Sequence, residues 1–508
     1  MPQIDPLTIA LSGLANANRS IAVVAQNIAN ASTPGYVHET QQQRAAGAGG
    51  LPMGVTSGIA IRDLDVALQA RLITQAASAS ETQVRSETLA RIDAVQGTPG
   101  TGGDLASLVG KLGDAFSALL NDPASAPQQR AVVDQATALA GHLRQTATTI
   151  GDLRQSAHDR VVSDVGALNA ALTRIGGLSR QIIQVRASGG STADLENQRD
   201  AAVMDASGFL DLRAVARPNG DMTVLTASGL ELPTHGTPPL TVTPASVGAV
   251  SFYPGGGIAA VTLNGIDVTT AMSSGSIGAA INLRDTILPT SQGVLDEFAQ
   301  TLAGRFDAQG LALFSDPAGA VPAPAAAGPR QAPYVGFAGT IVVNPAVMAL
   351  PSLVRDGTHN VVGTPTGPQG FAVNPAGGPS GSTTLITRVL NYALTAQVAP
   401  GNPQSAPSLI GMGPTGTATS SIVAPSALGA FAAAVVARQA GDAAVADSAA
   451  TASRDTQVAL QRSLSERSGV DMDAELSHMI ALQNAYSANA RVITTMQSLW
   501  SQLMQIIR

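Results

Sequence analysis

Near the start of the chain, apolar residues recur at alternating steps of four and three: Leu7, Leu11, Leu14, Ile21 and Ile28, with Asn18 and Ala25 filling the series. That alternation is the seam of a coiled-coil helix. Asp5 can cap the helix, and Pro6 suits its first turn. The helix should end within "NIANASTPGY", Asn27–Tyr36. Asn30 can close it in a left-handed conformation, and Thr33, Pro34, Gly35 and Tyr36 fit a type II turn. This makes Asn27, Asn30, Thr33, Pro34, Gly35 and Tyr36 a candidate corner, with Tyr36 as its anchor.

The last helix follows the same logic. Gly469 breaks the preceding helix within "SGVD". Asp471 can cap the next one, and Asp473 and Glu475 stand in its first turn, where the helix dipole favours acid. The seam then reads Met479, Leu482, Tyr486, Asn489, Ile493, Met496, Trp500, Leu503 and Ile507. Off-seam positions are mostly Gln, Asn, Ser, Thr and Ala. A helical hairpin alone in water normally shows Glu and Lys on its outer face. Small, uncharged positions therefore imply packing on more than one face. The two helices are expected to pair with each other and then with copies of themselves or relatives. On spacing alone, an ordinary intramolecular coiled-coil stalk fits equally well.

Between these ends the pattern changes twice. A Gly-rich extended stretch covers 38–61, and a helix is expected over 62–96, broken by "GTPGTGGD". Helices continue to about residue 187 on a seam of Leu139, Leu143, Ile150, Leu153, Val161, Val165, Leu168, Leu172, Ile175 and Ile182. "SGGSTADLENQRDAA" breaks and restarts the helix, with Ser191 and Asp194 in a capping-box pattern. From about Phe209 short β-like runs appear, such as "DMTVLTASGLELPT" and "AVTLNGIDV". Helical spacing returns over 281–312. Residues 315–424 are loop-rich with one short helix in "TTLITRVLNYAL", and the chain is helical from Pro425 nearly to its end.

The expected fold is mainly α with an inserted β module: paired terminal coiled-coil helices, an elongated helical-bundle domain and an outer β-rich domain. The expected division is 1–36 with 468–508, 37–207 with 276–467, and 208–275 for the β-rich part.

Composition adds mostly exclusions. Only 12% of residues are charged, against about 25% in ordinary globular proteins. The net charge is −7 with no basic stripe, which argues against nucleic-acid binding. There is no cysteine, so no disulfide framework, thiolate metal site or cysteine nucleophile. The first residues lack the basic region and cleavage pattern of a secretory signal. The longest apolar run, Leu428–Ala437, is about half of what a bilayer span needs, so no membrane insertion is expected. The six histidines are scattered. "GMGPTG" has the outline of a dinucleotide loop, but Pro414 lies inside it and no helix follows. "DMDAE" lacks the glycine of a calcium loop. No catalytic, cofactor or metal residue is assigned, and an enzyme is not expected.

With both ends read, "LANANRSIAVVAQNIANASTPGYV" resembles the N-terminal signature of bacterial flagellar axial proteins. "SGVDMDAELSHMIALQNAYSANARVITTMQSLWSQLMQII" resembles their C-terminal signature. "ADLENQRDAAVMDASGFLDLRAV", "NGDMTVLTASGLEL" and "LRDTILPTSQGVLDEFAQTLAGRFDAQG" resemble the hook-associated protein 1 family, the first of the hook–filament junction proteins.

The resemblance implies a structural role, with subunits forming a short ring between hook and filament and the terminal helices lining an inner tube. It implies self-association, contact with the hook protein and with a second junction protein, and a cytoplasmic export chaperone on the C-terminal helix. It also implies an extracellular place in the flagellum, reached without a cleaved signal peptide. Another axial protein, of the hook or distal rod, is the alternative. The long helix before "SGVD" and the "ENQRD" segment argue against it.

Overall fold

The structure is a computed structural model that describes residues 6–33, 35–48, 51–97, 100, 102–236 and 239–506. Asp5, Pro34 and Ile507, expected as cap, turn and seam residues, lie outside the described residues. The helices in chain order are α1 (Pro6–Asn30), α2 (Val66–Gln96), α3 (Leu105–Asn121), α4 (Ala126–Ala187), α5 (Ala193–Ser207), α6 (Gly275–Asn282), α7 (Leu288–Asp307), α8 (Pro345–Ala349), α9 (Leu353–Asp356), α10 (Thr384–Arg388), α11 (Leu428–Ser468) and α12 (Met472–Ile506). With small sheets between them, the chain is mainly α with β modules. Its residues group into two compact units.

The first unit is Met1–Ser80, Gly166–Leu240 and Ala452–Arg508. The extended stretch after the Pro-Gly turn is an antiparallel hairpin of β1 (Glu39–Ala48) and β2 (Leu51–Arg62). The strand runs through Arg62, so α2 begins later than the spacing suggested. Asp65 caps it, accepting Leu68 N–H at 3.0 Å. The hairpin packs on α1 through small polar groups. Ser12 Oγ accepts Val55 N–H at 3.1 Å, and Ser57 Oγ donates to Asn16 Oδ1 at 2.8 Å. A three-stranded antiparallel sheet follows α5, with β3 (Leu212–Ala216), β4 (Met222–Thr226) and β5 (Glu231–Leu232) in sequence order. A Cβ at Gly176 of α4 would lie 1.8 Å from the Thr234 carbonyl oxygen, so only glycine admits that approach.

The second unit is Glu81–Val165 and Thr241–Thr451. Asp104 caps α3, accepting Ser107 N–H at 3.0 Å, and Leu105, Val109, Leu112, Phe116 and Leu119 face inward. The aromatic core stacks Phe116 on Phe306 at 5.9 Å, Phe306 edge-on to Phe314 at 5.6 Å, and Phe298 on Phe431 at 5.4 Å. The loop-rich stretch 315–424 is part of this core, with Tyr334, Ile341, Val347, Leu385 and Ile386 buried. Its expected short helix is α10, which continues into a π-helical turn, Val389–Ala393.

Buried polar groups hold the loops. Glu297 accepts Tyr334 O–H at 2.7 Å, and Asp296 accepts Gly336 N–H at 2.8 Å and Ala338 N–H at 2.9 Å. Burial pushes the Asp296 carboxyl up to about 7 against these hydrogen bonds. In "AVTLNGIDV", Asn264 (φ 51°) and Gly265 (φ 83°) turn a two-residue hairpin between Thr262–Leu263 and Ile266–Asp267, as the Asn-Gly pair demands.

All the helical seam positions expected between Leu139 and Ile182 are buried. The capping box at Ser191 and Asp194 does not form. Thr192 takes the N-cap position and its hydroxyl bonds Glu196 Oε1 at 2.8 Å, while Asp194 accepts Gln198 instead. β3 to β5 belong to the first unit and the Thr262–Asp267 hairpin to the second, a grouping that differs from the three-part division expected above.

Candidate assembly site

The two breaks that the sequence marks, "NIANASTPGY" and "SGVD", come together. Tyr36 N–H donates to Thr33 O at 3.1 Å and Gly35 has φ +79°, the geometry a type II turn asks of its third residue. Asn30 is not left-handed; it stays in the helix. Its Nδ2 donates to Gln26 O at 3.0 Å, and its backbone carbonyl accepts Thr33 N–H at 2.8 Å. The glycine supplies the positive φ, so the asparagine need not. Across from this turn, Gly469 N–H donates to Ser465 O at 2.9 Å, and a Cβ there would lie 2.3 Å from that oxygen. Asp471 caps α12 by accepting Asp473 N–H at 3.0 Å.

Asn27 is the centre of the corner and is fully buried. Its amide has two donors and two acceptor sites, and all are used. Nδ2 donates to Glu39 O at 2.9 Å and Glu475 Oε2 at 3.3 Å; Oδ1 accepts Tyr36 O–H at 3.0 Å and Glu39 N–H at 3.1 Å. Glu475 is therefore more than a first-turn acid. Its other oxygen meets His38 Nε2 at 2.8 Å, and His38 N–H donates to Ser468 O at 2.8 Å. Burial, followed by the charges of Glu39, Asp194 and Glu475, raises the Tyr36 hydroxyl above its ordinary range, so it stays a donor. His38, Glu39, Ser468 and Glu475 were not among the corner residues expected from the sequence. Apart from the Asn27–Glu39 pair, 12 positions apart, their partners lie more than a hundred positions away, where no local pattern reaches.

The seam residues occupy a different place from the one their spacing suggested. Asn27 meets Glu475, and Gly13 lies against Asn489, where a Cβ would come within 2.9 Å of its side chain. The two helices are thus antiparallel. Between those points the buried residues of α1 are Asn16, Ala17, Ser20 and Val24, all small or polar, with Ala10 beyond. Leu7, Leu14, Ile21 and Ile28 are only partly buried and Leu11 is 49% exposed. On α12, Leu482 is buried and Met479, Ile493 and Met496 partly so, while Tyr486, Trp500 and Leu503 are exposed at 38%, 70% and 54%. Close backbone approach selects small side chains, leaving the large ones on other faces.

α1 is also the one described helix long and apolar enough by length and composition to cross a membrane. Its apolar residues are interrupted by Ser12, Asn16, Asn18, Arg19, Ser20 and Gln26, so no unbroken apolar run marks it in the sequence. The same composition serves a helix packed on protein from several sides.

Family models match both ends and the interior. A flagella basal body rod protein model covers 7–36, and the C-terminal model of flagellar basal body rod FlgEFG proteins covers 461–506. Both matches fall on the paired terminal helices, so the class to which the ends are similar is that of the flagellar axial proteins. The helical-domain model of the flagellar hook-associated protein FlgK covers 89–317. The flagellar hook-associated protein 1 of Escherichia coli (strain K12) is 23% identical over 60% of this chain and 57% of its own length. That of Salmonella typhimurium (strain LT2) is 25% identical over 59% and 55%. Within that class, the interior match and the curated relatives place the similarity with the FlgK hook-associated protein. It spans about half the length of the curated relatives it matches. The solved flagellar hook junction protein FlgK of Burkholderia pseudomallei aligns over 50% of this chain and 45% of its own at 20% identity, with a TM-score of 0.39.

Proposed function

We propose that this chain is a structural component of the bacterial flagellum that joins hook to filament. It is exported without a cleaved signal and assembles as a short ring or tube segment through α1 and α12. The observation that carries this reading is the division of labour on the terminal helices. Small and polar residues face inward, while Leu11, Trp500 and Leu503 stand exposed. A monomer has no use for large apolar side chains in water at that density, and copies packed side by side would cover them. Met479, Tyr486, Ile493 and Met496 of α12, with Leu7, Leu14, Ile21 and Ile28 of α1, complete the proposed assembly surface, while Leu482 is already covered within the chain.

The corner of Asn27, Asn30, Thr33, Pro34, Gly35 and Tyr36 marks where the tube-lining helix stops and the chain turns into the body of the subunit. In this reading 1–36 with 468–508 form the inner part. The hook protein, a second junction protein and, before export, a chaperone on the apolar α12 are the partners. The interior match to the hook-associated helical domain favours this over a hook or rod protein.

Deletion of the gene tests it. Cells should carry hooks without filaments and lose flagellin to the medium. Normal filaments in the deletion strain would overturn the proposal.

A further inference from the structure

The corner is tied to α5 by a second set of polar contacts. Arg62, the last residue of β2, has a side chain only 11% exposed. Its Nη1 donates to Asp200 Oδ2 at 2.7 Å and to Asn197 Oδ1 at 3.0 Å, and its Nε lies 3.2 Å from Glu196 Oε2. These three partners come from the "ENQRD" segment of α5, one helical turn apart. Asn197 turns its other end to the corner, its Nδ2 donating to Glu39 Oε1 at 3.2 Å. Glu39 is the residue whose backbone N–H and carbonyl both bond the Asn27 amide. A chain of hydrogen bonds therefore runs from Asp200 through Arg62, Asn197 and Glu39 to Asn27, and from there to Glu475 of α12. Every member is buried or nearly so. The same segment is anchored on its far side, where Arg199 Nη1 donates to Gly220 O at 2.9 Å, in the loop between β3 and β4.

We infer that Arg62 is a positioning residue. Through Asn197 it fixes Glu39, and through Glu39 it sets the angle at which α1 and α12 leave the body of the first unit. This inference deepens the proposed function and rests on it only for the assembly result below. A guanidinium is required because its fork reaches acceptors on successive positions of one helix turn, which the single ammonium of lysine does not do. Asn197 is required because its amide carries a donor and an acceptor at once. An aspartate there would face Glu39 with like charge.

The test uses the purified full-length chain and amide hydrogen exchange, which does not depend on flagellar assembly. Arg62→Ala and Asn197→Ala should each speed exchange of the Glu39 amide at least tenfold. Asn197→Ala must do so although it leaves the Arg62 pairs with Glu196 and Asp200 in place. Arg62→Lys should not rescue. The double variant with Asn27→Ala should exchange no faster than the faster single, because all act through one chain. The proposal is overturned if Asn197→Ala leaves Glu39 protected, if the effects multiply, if lysine rescues, or if the buried Leu172 amide of α4 accelerates equally. In cells, both alanine variants should be exported but fail to hold filaments. Loosened exchange with normal filaments would sink the assembly role while leaving the relay itself standing.

Discussion

The aromatic core of the second unit and the terminal helix pair of the first are packed on opposite terms. In the core, the largest side chains are the most deeply buried: Phe116, Phe298, Phe306, Phe314 and Phe431 all fall below 2% exposure. In the helix pair, the buried positions of α1 are Ala10, Asn16, Ala17, Ser20, Val24 and Asn27, those of α12 are Glu475 and Leu482, and the largest side chain of α12, Trp500, is 70% exposed. The core is complete within one chain. The helix pair has satisfied the polar groups of its corner and left many of its large apolar side chains partly or wholly uncovered. Buried large residues contribute to the stability of the monomer, while exposed large residues contribute when a neighbour covers them.

Substitutions can break this contrast, and their expected effects fall in order. Phe306→Ala should cost roughly 3–5 kcal/mol in urea unfolding, the usual range for a fully buried aromatic. A loss below about 1 kcal/mol would mean the core is not close-packed there. Asp296→Asn should cost about 1–3 kcal/mol at neutral pH, because an amide has one acceptor where the carboxylate serves Gly336 and Ala338 with two.

Asp296 also sets a pH dependence. Its folded pKa of about 7 lies above the usual 3.8, so the folded form binds a proton more readily than the unfolded one. Its contribution is therefore fully present below about pH 3.8 and lost as pH rises through about 7. Melting of the wild type should fall across that window, and Asp296→Asn should flatten that component. An unchanged slope would contradict the assignment.

Gly35→Val should cost about 1–2 kcal/mol or somewhat more, because a β-branched residue is strained at φ +79°. No atom lies within 4 Å of the added Cβ, so the strain is in the backbone alone. Incorporation at hook ends should suffer more than unfolding of the second unit; normal assembly would defeat the corner reading. Leu11→Gln and Trp500→Gln should fall within about 0.5 kcal/mol of wild type in monomer stability. Both should nonetheless impair filament attachment in a complementation assay. A large loss of monomer stability would show that these residues pack within the single chain and would erase the contrast.

How much of this was legible varies by distance along the chain. The helix seams from Leu139 to Ile182, the β-like character of "AVTLNGIDV" and the α12 cap were readable because each rests on residues within a turn or two. The seam of α1 was a sound periodicity, but its large residues are only partly buried or exposed in the single chain. Spacing locates an apolar face, yet it does not say whether that face meets its own partner helix or another subunit. Asn30 was misread because Gly35 already supplied the left-handed residue. In the stretch 315–424 the short helix α10 was readable, while the burial of the loops was not. They are held by carboxylates and guanidinium groups, such as Glu297 with Tyr334 and Arg388 with the carbonyl of Gln369 at 2.9 Å. No hydrophobic period records such contacts.

The sequence alone determined where α1 stops and α12 starts, that both helices carry heptad-spaced apolar residues, and that their outer positions avoid charge. These are local properties of 3.6-residue periodicity, capping and turn chemistry, and they hold whatever the rest of the chain does. Only the tertiary structure decided which face of α1 meets α12, and that Asn27, His38, Glu39 and Glu475 form one buried network with Arg62 and Asn197 behind it. The reason is physical: a buried amide or carboxylate is tolerated only where donors and acceptors converge on it from separate elements. That convergence exists only once the chain has folded.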